Sequence, residues 1–244
     1  MSERLKVKYV SIDLWDTYKD VAKTAFPNCN CADSFHVIKN LMFYFNKIRI
    51  SFLKKYEYLK KERSSLYWLL KKYNFVLYKD FLKLKEYYCI NKVTGEVMSK
   101  YQIRSTILSI DPEFQLAYDL KEAYRSFNSS ASILDAEDRL TDLIQEFSVS
   151  KIYEYIPFVH LLKKWKKEIV NSFSTYNGHR IHNGYIERRN LVIKQLFANA
   201  YGFYNFPRTR NRILYVLNHD AIIRGSSDKI SNALPGKPRG KYNK

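Results

Sequence analysis

KVKYVSIDLWDTYKDVAKTAFPNCNCAD, residues 6–33, changes its hydrophobic period twice. Residues 6–13 are β-branched and aromatic, with Val10 and Ile12 set against Tyr9 and Ser11, and predict a short strand that delivers Asp13 at its C-terminal end. From Asp16 the period lengthens. Tyr18, Val21, Ala22, Ala25 and Phe26 fall at i, i+3, i+4, i+7 and i+8, the stripe of a helix that Asp16 is placed to cap and that Pro27 and Asn28 end. CNCAD (29–33) then reads as a second short strand, again finishing in an aspartate, Asp33. Ser34 is placed to cap a long helix in which Phe35, Ile38, Leu41, Met42, Phe45, Ile48 and Phe52 repeat every three or four residues. The order β-α-β-α is that of an α/β sheet, and open sheets place their chemistry at the C-terminal ends of strands.

Working outward, residues 1–50 form this β-α-β-α part and residues 51–175 a mainly helical insertion. That region is broken by NKVTGE (91–96), IDPEF (110–114) and SFNSSAS (126–132). In it LDAEDRLTDLIQEF (134–147) is amphipathic, and Leu161, Leu162, Trp165, Ile169, Val170 and Phe173 form a stripe opposite Lys163, Lys166 and Lys167. Both stripes read as core packing. The chain has 244 residues, 46% of them hydrophobic, with 21 Tyr and 15 Phe but only 7 Gly and 6 Pro, which favours helix over a strand-and-turn architecture. The expected class is α/β, mostly helical.

Forty-two basic against 24 acidic residues give a formal charge of +18, which points to a polyanionic partner, nucleic acid first. The three cysteines, Cys29, Cys31 and Cys89, are too few and too irregular for a disulfide framework, and no signal peptide or membrane-length apolar run is present. A cytoplasmic, nucleoid-associated protein with no membrane partner is expected.

A third segment, 176–224, opens with YNGHRIHNGYIERRN (176–190). A helix from Tyr185 to about Ala200, with Gly202 as its left-handed cap, places Glu187, Asn190 and Lys194 at i, i+3 and i+7 on one face. That face presents a carboxylate, an amide and an ammonium in a row, suited to a metal ion and a phosphate together; spacing alone favours an ordinary solvated helix face. A basic helix (207–219) follows, with Pro207 in its first turn. The polar tail 225–244 reads as disordered. Cys29, Cys31 and His36 lack the paired spacing of a structural zinc site, and His179 and His182 read as loop-ordering or DNA-facing residues.

YNGHRIHNGYIERRNLVIKQLFANAYGFYNFPRTRNRILY (176–215) resembles the end of the catalytic domain of bacterial DDE transposases of the ISL-three type, with their NG-x-x-E-x-x-N-x-x-IK pattern, aromatic-glycine-aromatic turn and arginine-rich helix. SIDLWDTYKDVAKTAFPNCNCADSFHVIKNL (11–41) resembles the family's earlier block with its D-x-F-H-V element, and DPEFQLAYDLKEAYRSF (111–127) is similar to the stretch between. The resemblance implies a ribonuclease-H-like fold with a large helical insertion. It implies Asp13 as the second carboxylate of the catalytic triad and Glu187 as the third, together holding Mg2+ or Mn2+ in a two-metal site for phosphodiester cleavage and strand transfer. Asp33, which also ends a strand, is the alternative to Asp13; the longer strand before Asp13 favours the latter. Arg188, Arg189, Asn190, Lys194, Arg208, Arg210, Arg212 and His36 are the implied DNA contacts, to insertion-sequence ends and target.

The family's first aspartate lies upstream, on another strand, and residues 1–12 contain no aspartate. Its cysteine-rich zinc element and helix-turn-helix are also not matched. The expectation is therefore an incomplete ribonuclease-H-like fold, the C-terminal part of a transposase, inactive alone and joined by its N-terminal half or by further copies in a homo-oligomer. The alternative is a noncatalytic DNA-binding or oligomerising fragment that modulates an intact transposase.

Overall fold

Tyr9–Ser11 forms β1, Asp16–Ala25 α1, Asn30–Ala32 β2 and Phe35–Lys55 α2. The computed structural model describes residues 3–62, 64–80, 84, 87–176, 178–182, 184–200 and 205–217, and the chain divides into two compact units, 1–183 and 184–244.

In the first unit β1 and β2 pair in parallel, Tyr9 opposite Asn30, Val10 opposite Cys31 and Ser11 opposite Ala32. One further bond, Ile12 N–H to Ala32 O at 3.1 Å, carries the pairing to the residue before Asp13. Both strands are shorter than their sequence patterns, because residues 4–6 take a 3-10 turn and pairing stops where the aspartates begin.

The rest of this unit is mostly helical. Ser65–Lys72 (α3) and Phe75–Tyr78 (α4) precede a hairpin of Tyr88–Ile90 (β3) and Val97–Ser99 (β4), so NKVTGE is a hairpin turn, with Gly95 at φ 77°. Lys100–Leu108 (α5) starts in a capping box of Ser99 with Gln102. Pro112–Ser130 (α6) starts on Asp111, whose carboxylate accepts from Glu113 N–H at 2.8 Å, from Lys55 Nζ at 2.7 Å and from Tyr56 OH at 2.8 Å. The expected break at SFNSSAS comes late: α6 runs to Ser130, where the Ser129 and Ser130 hydroxyls donate back to Ser126 O and close its last turn. Ala136–Val149 (α7), Ile156–Lys164 (α8) and Lys166–Asn171 (α9) complete the helices of this unit. Trp165 breaks the predicted single helix into α8 and α9, yet its apolar stripe is core: Leu162, Trp165, Ile169 and Phe173 are buried.

The core is aromatic. Phe45 of α2 stacks with Phe114 of α6 at 6.0 Å, Phe147 meets Tyr155 edge-on at 4.9 Å, and the buried Tyr155 hydroxyl donates to Ala117 O at 2.8 Å. Every residue of the α2 stripe except Phe35 is buried or partly buried. The α1 stripe behaves differently. Only Ala22 is buried, while Tyr18 and Val21 are 50% and 60% exposed, and α1 is tied down by ion pairs, Lys19–Glu168 at 2.7 Å and Lys164–Asp16 at 2.6 Å. Asp16 is thus the first residue of α1 and a partner for Lys164; Trp15 precedes the helix without a capping bond.

The second unit has Gly184–Asn199 (α10) and Phe206–Leu217 (α11). Asn205 starts α11, its side chain accepting from Arg208 N–H at 3.1 Å. The Gly202 cap and the tail 225–244 lie outside the described residues. No described helix is long and apolar enough to cross a membrane.

Candidate active site

The parallel pairing brings Asp13 and Asp33 out at neighbouring strand ends, and their surroundings differ sharply. Asp33 is 3% exposed; its Oδ1 accepts from His36 N–H at 3.0 Å and its Oδ2 meets His36 Nδ1 at 3.0 Å. The D-x-x-H spacing makes this possible, because Asp33 stands two residues ahead of α2 and reaches the first free amides of that helix. Ser34, the residue expected to cap, makes no capping bond. The other face of the ring looks outward: His36 Nε2 is 3.4 Å from Asp13 Oδ1, and the Asp13 side chain is 52% exposed. Phe35 packs edge-on against the imidazole with ring centres 5.3 Å apart. Carboxylate, imidazole and carboxylate therefore form one line from the interior to the surface.

Burial pushes the Asp33 carboxyl above its ordinary range, the hydrogen bonds and charge of His36 pull it back, and the net shift is upward. Cys31, two residues before Asp33, is pushed up to about 11 by burial and by Cys29. Both thiols face the core, Cys29 Sγ toward Ala22 O at 3.7 Å, whereas His36 turns to the two aspartates instead.

A residue that the sequence did not single out supports this corner. Glu168 of α9 is buried; its carbonyl accepts from Asp33 N–H at 3.3 Å and its carboxylate pairs with Lys19, whose ammonium also lies 5.2 Å from the Trp165 ring centre. Asn171, also on α9, donates to Cys31 O at 2.9 Å. Together they cover the outer edge of β2.

His179 and Arg180 form the second strand of a two-residue hairpin with Thr175–Tyr176. Arg180 donates to Ser172 O at 2.8 Å, to Ser172 Oγ at 3.0 Å and to Asn128 O and Oδ1, and stacks on Phe173 at 3.8 Å. Its guanidinium fixes the loop to the core.

The remaining candidates lie in the 184–244 unit. On α10, Glu187, Asn190 and Lys194 are exposed on one face, as the spacing requires, and Arg188 is exposed beside them. Arg189 is partly buried and donates to Leu217 O, joining the start of α10 to the end of α11. Arg208, Arg210 and Arg212 are exposed along α11.

An oxygen-ligated Mg2+ or Mn2+ needs accessible carboxylate oxygens. Asp13 offers them; Asp33 is enclosed and engaged on both oxygens. No group of three or more His, Cys, Asp or Glu side chains among the described residues is arranged to hold a metal ion.

Comparison with known families supplies the class. The model described as transposase, that of the DDE transposases of the ISL-three type, matches residues 1–213, which include every candidate named above, and the chain belongs to this family. DNA transposition is the family's work, and DNA is the partner it implies. No curated protein and no solved structure matches the chain.

Proposed function

We propose that the chain acts in metal-dependent DNA cleavage and strand transfer at insertion-sequence ends, with Asp13 and Glu187 as two of the three carboxylates of a DDE triad. The observation that carries this reading is the contrast at the strand ends: Asp13 is half-exposed and Asp33 is buried. The β1-α1-β2-α2 segment is then part of a ribonuclease-H-like sheet, residues 51–175 its helical insertion and 176–224 the segment of the last catalytic helix. Bound Mg2+ or Mn2+ would activate the attacking oxygen and stabilise the leaving one. The chain's own groups hold and orient: Asp13 and Glu187 as metal ligands, Lys194 and Asn190 at phosphate near the cut, and Arg188, Arg208, Arg210 and Arg212 along the backbone.

The test is cutting of insertion-end DNA with Mg2+ or Mn2+ in the presence of a polypeptide that bears the triad's first aspartate and its strand, where cutting is expected. Asp13→Ala or Glu187→Ala should abolish this cutting. Cutting that survives both substitutions overturns the reading.

The exposed arginines of α11 favour a second reading, a noncatalytic DNA-binding or oligomerising partner of an intact transposase. It predicts steeply salt-dependent DNA binding that Glu187→Gln leaves unchanged, and no cutting in the mixed assay.

A further inference from the structure

The core accounts for only one side of α2. Val37, Leu41, Phe45, Ile48 and Phe52 are buried, while Phe35 and Phe43, two turns and about 12 Å apart, stand half-exposed on the opposite side. Apolar residues scattered singly over a surface are ordinary. These are not scattered: Lys39 and Lys47 are exposed at the next steps of four, so the outer face reads Phe, Lys, Phe, Lys. The 21 residues of α2 include five basic side chains and no acidic one. Lys47 rests against an aromatic ring, 4.6 Å from the centre of Phe43. The same face starts beside Asp13, since Phe35 packs edge-on against His36, whose Nε2 lies 3.4 Å from Asp13 Oδ1. Two residues beyond Asp13, Trp15 donates its amide to Asp13 O at 2.7 Å, is 62% exposed, and pairs its ring with exposed Tyr18 at 5.7 Å. Exposed rings thus stand on both segments next to Asp13.

We propose that this surface binds an unpaired DNA strand and leads it to Asp13, its bases stacking on Trp15, Phe35 and Phe43 and its phosphates meeting Lys39 and Lys47. The proposal rests on the reading of Asp13 as a carboxylate at the cut and adds the form of DNA that the site takes. DNA is the partner that the family implies, and the net charge of +18 favours it. A duplex turns its base faces inward and offers only phosphates to the lysines. A separated strand offers phosphates and base faces together, and stacking on aromatic rings holds it without regard to sequence. A protein partner apolar enough to cover the rings would have to desolvate the lysines between them.

The test is fluorescence-anisotropy titration of the 244-residue chain, with divalent metal chelated, against one labelled oligonucleotide offered single-stranded and as its duplex. Trp15→Ala, Phe35→Ala and Phe43→Ala should each weaken single-strand binding roughly tenfold or more, with duplex binding and thermal midpoint little changed. Lys39→Ala should lower the single-strand salt slope by about 0.7. Phe43→Leu keeps apolar area without a flat ring and should behave like alanine; Phe43→Trp should bind, with emission that the strand quenches and the duplex does not. Single-strand affinity unchanged in a Phe35→Ala, Phe43→Ala double variant overturns the proposal, as does an equal loss for strand and duplex. Self-association that Phe43→Ala abolishes in sedimentation, with strand affinity unchanged, overturns it in favour of a second copy on this face. Because metal is chelated throughout, these outcomes are read independently of cutting, so failure of the strand surface and failure of the Asp13 reading are told apart.

Discussion

Asp33 engages His36 twice, at 3.0 Å through the backbone amide and at 3.0 Å through the ring, so one buried carboxylate both starts a helix and orients an imidazole. Asp33→Ala should lose the cap and leave the ring nitrogen without its partner, lowering stability by about 1–3 kcal/mol in urea unfolding. Asp33→Asn keeps an oxygen for the amide and should cost less. Equal stability of the alanine variant and wild type would remove the structural role assigned here.

The arginines of the second unit should separate into two kinds. Arg208→Ala and Arg210→Ala should weaken DNA binding with little change in thermal midpoint, each reducing the slope of log affinity against log salt by about one if it touches a phosphate. Arg189→Ala should instead lower the stability of the α10–α11 pair, because its guanidinium holds Leu217 O. An Arg189 variant that melts normally and loses salt slope like the others would contradict this division.

Lys121 is fully buried, its ammonium donating to Leu77 O, paired with Glu122 at 2.6 Å and lying 4.0 Å from the Tyr118 ring centre. Burial drives its pKa down from 10.5 to about 8, against the charge of Glu122. In the unfolded chain this lysine keeps its proton up to its ordinary value. Between pH 8 and about 10.5 the unfolded state therefore binds more protons, and wild type should gain stability relative to Lys121→Met, by roughly 2–4 kcal/mol across that window. A pH-independent difference between the two proteins would refute it.

Asp111 behaves in the opposite sense. Burial opposes its ionisation, but the hydrogen bonds from Lys55, Tyr56 and the Glu113 amide outweigh it and hold the carboxyl below its usual range. Its contribution should be fully present above the unfolded value of about 3.9 and fade as pH falls through the lower folded value. Asp111→Ala should cost about 1–2 kcal/mol near neutrality through the lost cap of α6, the gap closing in acid. Acid titrations of both proteins followed by circular dichroism check this.

What the sequence made legible was local. The change of period over residues 6–33 placed two aspartates at strand ends, the repeat from Phe35 to Phe52 marked α2, and the spacing of Glu187, Asn190 and Lys194 put them on one face. Relationships that join distant residues left no periodic trace. Asn171 reaches Cys31 across 140 positions and Lys164 reaches Asp16 across 148, so neither the closing of β2 by α9 nor the ionic tethering of α1 shows in any window. Tyr88–Ile90 was hidden for another reason: all three residues are exposed, so the strand lacks the alternation that would have announced it. Arg180 and Arg189 resembled their basic neighbours in composition, and only their carbonyl acceptors separate them.

The covering of β2 by Asn171 and Glu168 also sets a direction of growth. With that side closed, and β1 paired on one side only among the described residues, a newcomer strand can join this sheet beside β1 alone. Adjacent strands run about 4.8 Å apart. A parallel arrival would bring its own C-terminal residue alongside Asp13 and two strands away from Asp33, so the same helix that seals one flank decides which aspartate acquires a neighbour.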